Sequence, residues 1–274
     1  MLSPYPSLRM GGRDPHKSRR SYMTLPTIAA ERHLLSVVLG KPAATDLDNE
    51  KICARNRAKL NMMDLTIYGA PVKHNDFWEF RTPGERLQTP LMDRTTIAGI
   101  IVAATPDTDT GSTSADRAPL IGNWINTQSR GFSLSIYSPS IYRLFCYTGA
   151  GPTLESLDLP VPVNTVNRPR PIYFELTSTT MTLINLAGDS GGVDGADNIK
   201  TKVLAGPRRL GELPISLGNF SDNDYYNRTC LHRAELFDGP ILGEQRVAAV
   251  GPQGILGFMG AYTDLDPANA IVVP

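Results

Sequence analysis

The chain has 274 residues, 41% of them hydrophobic, with 27 basic against 27 acidic side chains and a formal net charge of zero. That length and apolar share suit one large domain with a sizeable core, and the balance of charge argues against a nucleic-acid partner held by a general basic field. The longest apolar run covers only residues 97–104, far short of the ~18 that a membrane span takes, so no membrane insertion is expected. Three cysteines, Cys53, Cys146 and Cys230, are too few and too odd in number for a secreted disulfide scaffold, and imply folding in a reducing compartment.

Residues 1–22 are rich in Pro, Ser and basic groups. Arg9, Arg13, Lys17, Arg19 and Arg20 against Asp14 give 5 − 1 = +4, which leaves −4 for the remainder. With no apolar core to the segment, it is not a secretory signal. It reads as a disordered arm or as sequence ahead of a start at Met23, with a docking arm as the sharper alternative. The spacing of Ile28, Leu34, Leu35, Val38 and Leu39, followed by Gly40 and Pro42, predicts a helix over 27–39. Polar sequence follows, so 23–60 is expected to be helix and loop ahead of the main domain.

From residue 61 strand signals recur. Leu65 and Ile67 alternate with Thr66 and Tyr68 before Gly69-Ala70-Pro71. Trp78 and Phe80 alternate with Glu79 and Arg81 before Pro83-Gly84. The run 97–104 is apolar on both parities, as in a central strand covered on both faces. A loop is expected over 106–119 and a strand over 121–127. The clearest hairpin spans 131–147, where Phe132, Leu134 and Ile136 form one face and Tyr142, Leu144 and Cys146 answer them across Ser138-Pro139-Ser140. Strands are predicted over 172–177 and 181–186, a Gly/Asp loop over 188–198, a strand ending at Gly218, and a last one over 229–237. Many short strands with turn signals between them define an all-β sandwich or jelly roll over 61–247. The Gly- and Pro-rich residues 248–274 read as a C-terminal arm.

The succession FWEFRTPGERLQTPL, TTIAGIIVAAT, RGFSLSIYS, RPIYFELTSTTMTLINLAG, LPISLGNF and LHRAELFDGPILGEQ resembles the concanavalin A-like (laminin G-like) jelly roll. The N-terminal helix and the Arg55-Asn56-Arg57-Ala58 segment make the chain similar to the versions found in phage and prophage virion proteins. The resemblance implies folding in bacterial cytoplasm, assembly into a tail or capsid with neighbouring subunits, and a homo-oligomer.

Several constellations bear on chemistry. Gly188-Asp189-Ser190-Gly191-Gly192 spells the nucleophile motif of chymotrypsin-like proteases, but no His stands in the matching setting, and Gly, Asp and Ser are also what an exposed turn uses. A retaining glucanase needs two carboxyls ~5 Å apart, best placed on alternate residues of one strand. The nearest run, Asp46-Leu47-Asp48-Asn49-Glu50, lies in the polar segment ahead of the first strand. No catalytic residue is therefore assigned, and a polysaccharide-degrading enzyme stands only as a third reading. Asp189, Asp194 and Asp197 share one Gly-rich loop and are the candidate ligands for calcium, which needs several oxygens. Histidines and cysteines do not pair at zinc spacing. Glycan binding takes aromatic faces beside amides and carboxylates. Asn219, Asp222, Asn223, Asp224, Tyr225 and Tyr226 offer both in one loop, which makes them the candidate glycan site. Trp78 and Trp124 read as core. The expectation is a non-catalytic, lectin-like virion protein with host-surface glycan as ligand, and the alternative is a purely structural assembly or decoration protein.

Overall fold

The computed structural model describes residues 33–39, 65–74, 77–104, 117–125, 127–138, 140–161, 169–186, 199–219 and 228–241. These residues form fifteen strands: β1 (His33–Val38), β2 (Thr66–Tyr68), β3 (Val72–Lys73), β4 (Trp78–Phe80), β5 (Arg86–Gln88), β6 (Ile97–Ala104), β7 (Ala118–Gly122), β8 (Phe132–Ser138), β9 (Ile141–Thr148), β10 (Thr153–Pro160), β11 (Arg170–Leu176), β12 (Thr180–Asn185), β13 (Ile199–Val203), β14 (Ser216–Gly218) and β15 (Thr229–Phe237). One sheet runs β13-β12-β11-β6-β15-β4-β3, with β1 also paired to β15. The other runs β10-β9-β8-β7-β14-β5-β2. Every described pairing is antiparallel, so the chain is an all-β sandwich.

Period-two patterning builds the layer between the sheets. Phe132, Leu134 and Ile136 of β8 and Tyr142, Leu144 and Cys146 of β9 all point into it, where they meet Phe174, Leu176, Trp78 and Phe80 from the opposite sheet. The Phe132 and Phe174 rings lie 5.9 Å apart across the layer. The Tyr142 hydroxyl donates to the Ala103 carbonyl at 3.3 Å, so even this buried phenol is satisfied. Full burial of each large apolar side chain contributes about 1.5–3 kcal/mol. The hairpin matches its expected form, with Phe132 opposite Cys146 and Ser138 opposite Ile141.

The expected helix over 27–39 does not form over its second half. Residues 33–38 are the strand β1, paired with β15 from His33 opposite Phe237 to Val38 opposite Arg233. Residues 27–32 lie outside the described residues. Leu35 and Val37 are fully buried, and Ser36 between them faces the other way to donate to Glu235 Oε1 at 3.0 Å. That alternation suits a strand, and the edge of β15 supplies the ladder that a short isolated helix would have to provide for itself. The sandwich thus draws a strand from the segment assigned to helix and loop.

A second correction concerns β7. The strand begins at Ala118, inside the expected loop, and ends at Gly122 rather than continuing to 127. Pro119 fits there because the β7–β8 register shifts between Pro119 and Ile121, and a bulge tolerates the missing N–H. Strands β10 and β13 were not anticipated. They close one side of the sandwich, where Lys202 reaches Glu155 at 2.8 Å and donates to the Ser156 carbonyl at 3.2 Å.

Candidate functional site

The strand registers give the sandwich two unlike ends. Ala104 lies opposite Cys230, Ala118 opposite Ile136, Pro160 opposite Ile141, Arg170 opposite Ala103 and Ile184 opposite Ile199. The Thr229 hydroxyl donates to the Pro119 carbonyl at 3.3 Å and ties the two sheets together at this level. The residues that flank 105–116, 162–168, 187–198 and 220–227 therefore all stand at one end. At the other end two of the described connections are held by backbone bonds, Thr177 N to Thr180 O at 3.0 Å and Gly149 N to Pro207 O at 2.9 Å. There Arg208 forms a fully buried ion pair with Asp93 at 2.8 Å, and the Gly211 amide donates to the same carboxylate at 2.9 Å. Long connections grouped at one end of a rigid scaffold are where binding residues are usually carried.

Both roots of the 220–227 segment are anchored. At the first, Gly218 has φ 88°, and a Cβ there would lie 2.7 Å from the Phe80 ring, so only glycine fits without strain. Asn219 follows and is fully buried. Its amide nitrogen donates to the Thr82 carbonyl at 3.0 Å, and its backbone N–H donates to the Glu85 carbonyl at 2.9 Å. Glu85 in turn accepts from the Arg81 and Thr82 amides. At the second root, Arg228 donates to Glu79 Oε1 through Nε at 2.7 Å and Nη2 at 2.6 Å. His74 Nε2 lies 3.0 Å from Glu79 Oε2. The His74 ring stacks on Phe77 at 4.3 Å, and Phe77 meets His232 at 5.2 Å. Burial works to raise the Glu79 carboxyl, but the His74 and Arg228 contacts outweigh it and the net shift is downward.

A second group lies at the same end, on the outer face of the β8–β9–β10 sheet. The β8–β9 register shifts between Ile136 and Ser138, so Tyr137 is the extra residue of a bulge. A bulge re-aims its side chain. Here the Tyr137 ring stands against two guanidinium groups, with Arg143 Cζ 3.4 Å from its centroid and Arg117 Cζ 4.3 Å away. Arg117 Nη2 donates to the Tyr137 hydroxyl at 3.3 Å. Asp158 grips Arg143 in a bidentate pair, Nε to Oδ1 at 2.5 Å and Nη2 to Oδ2 at 2.7 Å. This pair holds the Arg143 pKa above its ordinary value, against the opposing effect of burial. Burial raises the Tyr137 phenol, yet Arg117 and Arg143 bring it below its ordinary value.

Of the predicted glycan residues, Asn219 alone is a described residue, and its amide serves the fold at the loop root. Asp222, Asn223, Asp224, Tyr225 and Tyr226 lie outside the described residues, as do Asp189, Asp194 and Asp197, the Gly188–Gly192 motif and the run from Asp46 to Glu50. Among the described residues no group of three or more His, Cys, Asp or Glu side chains gathers for a metal ion. Trp78 is in the main core, and Trp124 packs in a smaller cluster with Phe145 and Tyr147. The face of the hairpin opposite its apolar set carries Ser133, Ser135, Tyr137 and Arg143, and other elements add to it. Asp158 joins it from β10, and Arg117 from just ahead of β7. Neither was marked by its local sequence, since the leucines at 154, 157 and 159 do not alternate and a basic residue ahead of an apolar run has no register of its own.

No protein-family model matches the sequence, and no curated protein matches it either. Solved structures do share the fold. The binding domain of Paraclostridial Mosquitocidal Protein 1 superimposes with a TM-score of 0.55 at 10% identity, covering 85% of this chain and 53% of that domain. The ligand-binding domain of botulinum neurotoxin serotype D in complex with N-acetylneuraminic acid gives 0.52 at 10% identity, covering 79% and 50%. The receptor-binding domain of botulinum neurotoxin type G gives 0.54 at 9% identity, covering 78% and 50%. The chain spans about half the length of these domains, and at such identities the likeness is one of fold.

Proposed function

We propose that the chain is a non-catalytic, lectin-like module of a phage-type virion, built on a concanavalin A-like jelly roll and binding host-surface glycan through the end of the sandwich that carries the long connections. The observation that carries this reading is the polarity of the molecule. The candidate glycan segment around Asp222 to Tyr226 and the candidate calcium segment around Asp189, Asp194 and Asp197 are rooted at that same end. The described chain enters at His33, which lies opposite Phe237, and so enters and leaves at the other. A module held by its termini would present its loops outward. The structural neighbours are binding domains, one of them in complex with a sugar, which supports a binding role over a catalytic one.

Glycan-array binding of the full chain tests the reading directly. Tyr225→Ala and Asp222→Ala should abolish the signal while leaving the fold intact by circular dichroism. Unchanged binding would remove the loop from the site. Chelation with EDTA should weaken the same signal if the three aspartates hold calcium.

A second reading, assembly with neighbouring virion subunits or as a homo-oligomer, draws on the side of the sandwich that β10 and β13 close. Val203 is 74% exposed, Ile199 51% and Leu154 50%, and such side chains on edge strands favour a protein contact. Light scattering of Val203→Lys against the parent decides it: an unaltered oligomeric state would rule this side out as the contact.

A further inference from the structure

We propose that β13 is a self-pairing edge: two copies of the chain join antiparallel through it about a two-fold axis at Thr201, so that the first sheet of each continues into that of the other. This deepens the assembly reading and rests on it, but it names the partner, a second copy of this chain, and the register of the contact.

The phase of the backbone points to that register. Among the described residues β13 is the last strand of its sheet, with β12 on one side of it. Thr201 lies opposite Thr182 and Val203 opposite Thr180, and the next residue, Leu204, donates its N–H to the Thr179 carbonyl at 2.8 Å. Backbone groups alternate in direction from one residue to the next along a strand. The even residues therefore face β12, and Ile199, Thr201 and Val203 turn their N–H and C=O groups to the edge. The 3.2 Å between the Thr182 and Thr201 hydroxyls fits the close, non-hydrogen-bonded pair that this phase requires. Ile199-Lys200-Thr201-Lys202-Val203 reads alike in both directions, apolar at each end and Lys-Thr-Lys between. A two-fold axis at Thr201 sets that residue against itself, and Ile199 against Val203 of the second copy. Each of these pairs is then of the hydrogen-bonded kind, exchanging both bonds, and the contact is isologous and closed.

Side chains obey the same axis. On the outer face an apolar row passes from strand to strand through Ile100, Tyr173, Ile184 and Ile199. Its first three members are buried in one cluster, whereas Ile199 is exposed, as is Val203. Pairing places Val203 of the second copy next in that row, and both side chains leave water. Lysine on an edge strand commonly guards against such pairing. Here Lys202 turns toward the other sheet, its Nζ 2.8 Å from Glu155 Oε2 and donating to the Ser156 carbonyl at 3.2 Å, so its charge is met within its own copy.

Sedimentation equilibrium of the full chain should show a dimer that dissociates on dilution. Thr201→Pro removes an N–H that faces away from β12, and an edge strand tolerates proline on that side. It should leave the melting temperature near that of the parent and weaken the dimer about ten-fold or more. Mild oxidation, with the parent as background, should link Thr201→Cys to itself, since residues directly opposite across a strand pair lie within disulfide reach. Ile199→Cys and Val203→Cys should link poorly alone and well when mixed. A dimer indifferent to Thr201→Pro and unlinked at Thr201→Cys overturns the β13 pairing while leaving assembly standing. Equal linking by every cysteine variant alone marks chance collision and overturns the pairing too. A chain that stays monomeric at every concentration overturns both the pairing and the homo-oligomer. If Thr201→Pro fails to fold, the cysteine pattern decides alone.

Discussion

Single residues show how firmly the loop end is set. Glu79 is almost wholly buried and accepts from both Arg228 and His74. Its folded pKa is depressed below the ordinary 4.5, so the stability it contributes is fully present above that value and is lost as pH falls through the lower folded value. Glu79→Gln should therefore cost about 1–3 kcal/mol near neutrality, with the difference from the parent closing as the pH drops below 4.5. Urea denaturation of both proteins from pH 7 to pH 3 measures it, and a gap that stays constant would show that the charge of Glu79 is not what holds the root. Glu79 was visible in the sequence only as the polar member of an alternating pair. Its partners lie five and 149 positions away, a separation that no local pattern carries.

At the level of elements, the longer strands inside a sheet were readable. Strands β8, β9, β11, β12 and β15 show apolar residues that the core then buries, and β6 an apolar run on both parities, whereas the three-residue β5, also inside its sheet, is too short to carry a pattern. Edge strands were not so readable. In β13, Ile199, Thr201 and Val203 are exposed and Lys200 and Lys202 are half-buried, so its apolar residues are on the wrong side for the usual inference. Strand β1 misled differently. Its apolar spacing satisfies a helical face as well as a strand, and the edge of β15 settles the matter. Because Leu35 sits fully buried in the core, Leu35→Ala should cost about 2–5 kcal/mol, as expected of a core strand. The same change on an exposed helix surface would cost little. Thermal denaturation discriminates, and a shift of only a degree or two would contradict the place of β1 in the sheet.

Across the whole molecule, the buried ion pair and the candidate site lie at opposite ends. The Asp93–Arg208 pair, with no exposure on either side chain, fastens 89–96 to 204–215 far from the candidate site. Asp93→Asn should cost about 3–5 kcal/mol, since it leaves a buried guanidinium uncompensated. Below the melting temperature it should leave glycan affinity unchanged. Loss of affinity in a folded Asp93→Asn protein would show that the two ends are coupled. The sandwich was legible from the order of strands, and the polarity was not, because it depends on registers that join residues over a hundred positions apart. The meeting of His33 with Phe237 has a mechanical side as well. Tension between the segments that adjoin these two residues falls on the first rung of the β1–β15 ladder and opens it one rung at a time, like a zipper. Tension between the 220–227 segment and the chain ahead of His33 loads the same ladder along its length, so that all rungs resist together. A chain stretched by its own ends should thus yield first at β1, whereas one pulled by a ligand at the far end should hold, and optical-trap extension along the two directions should record a lower first rupture force for the former.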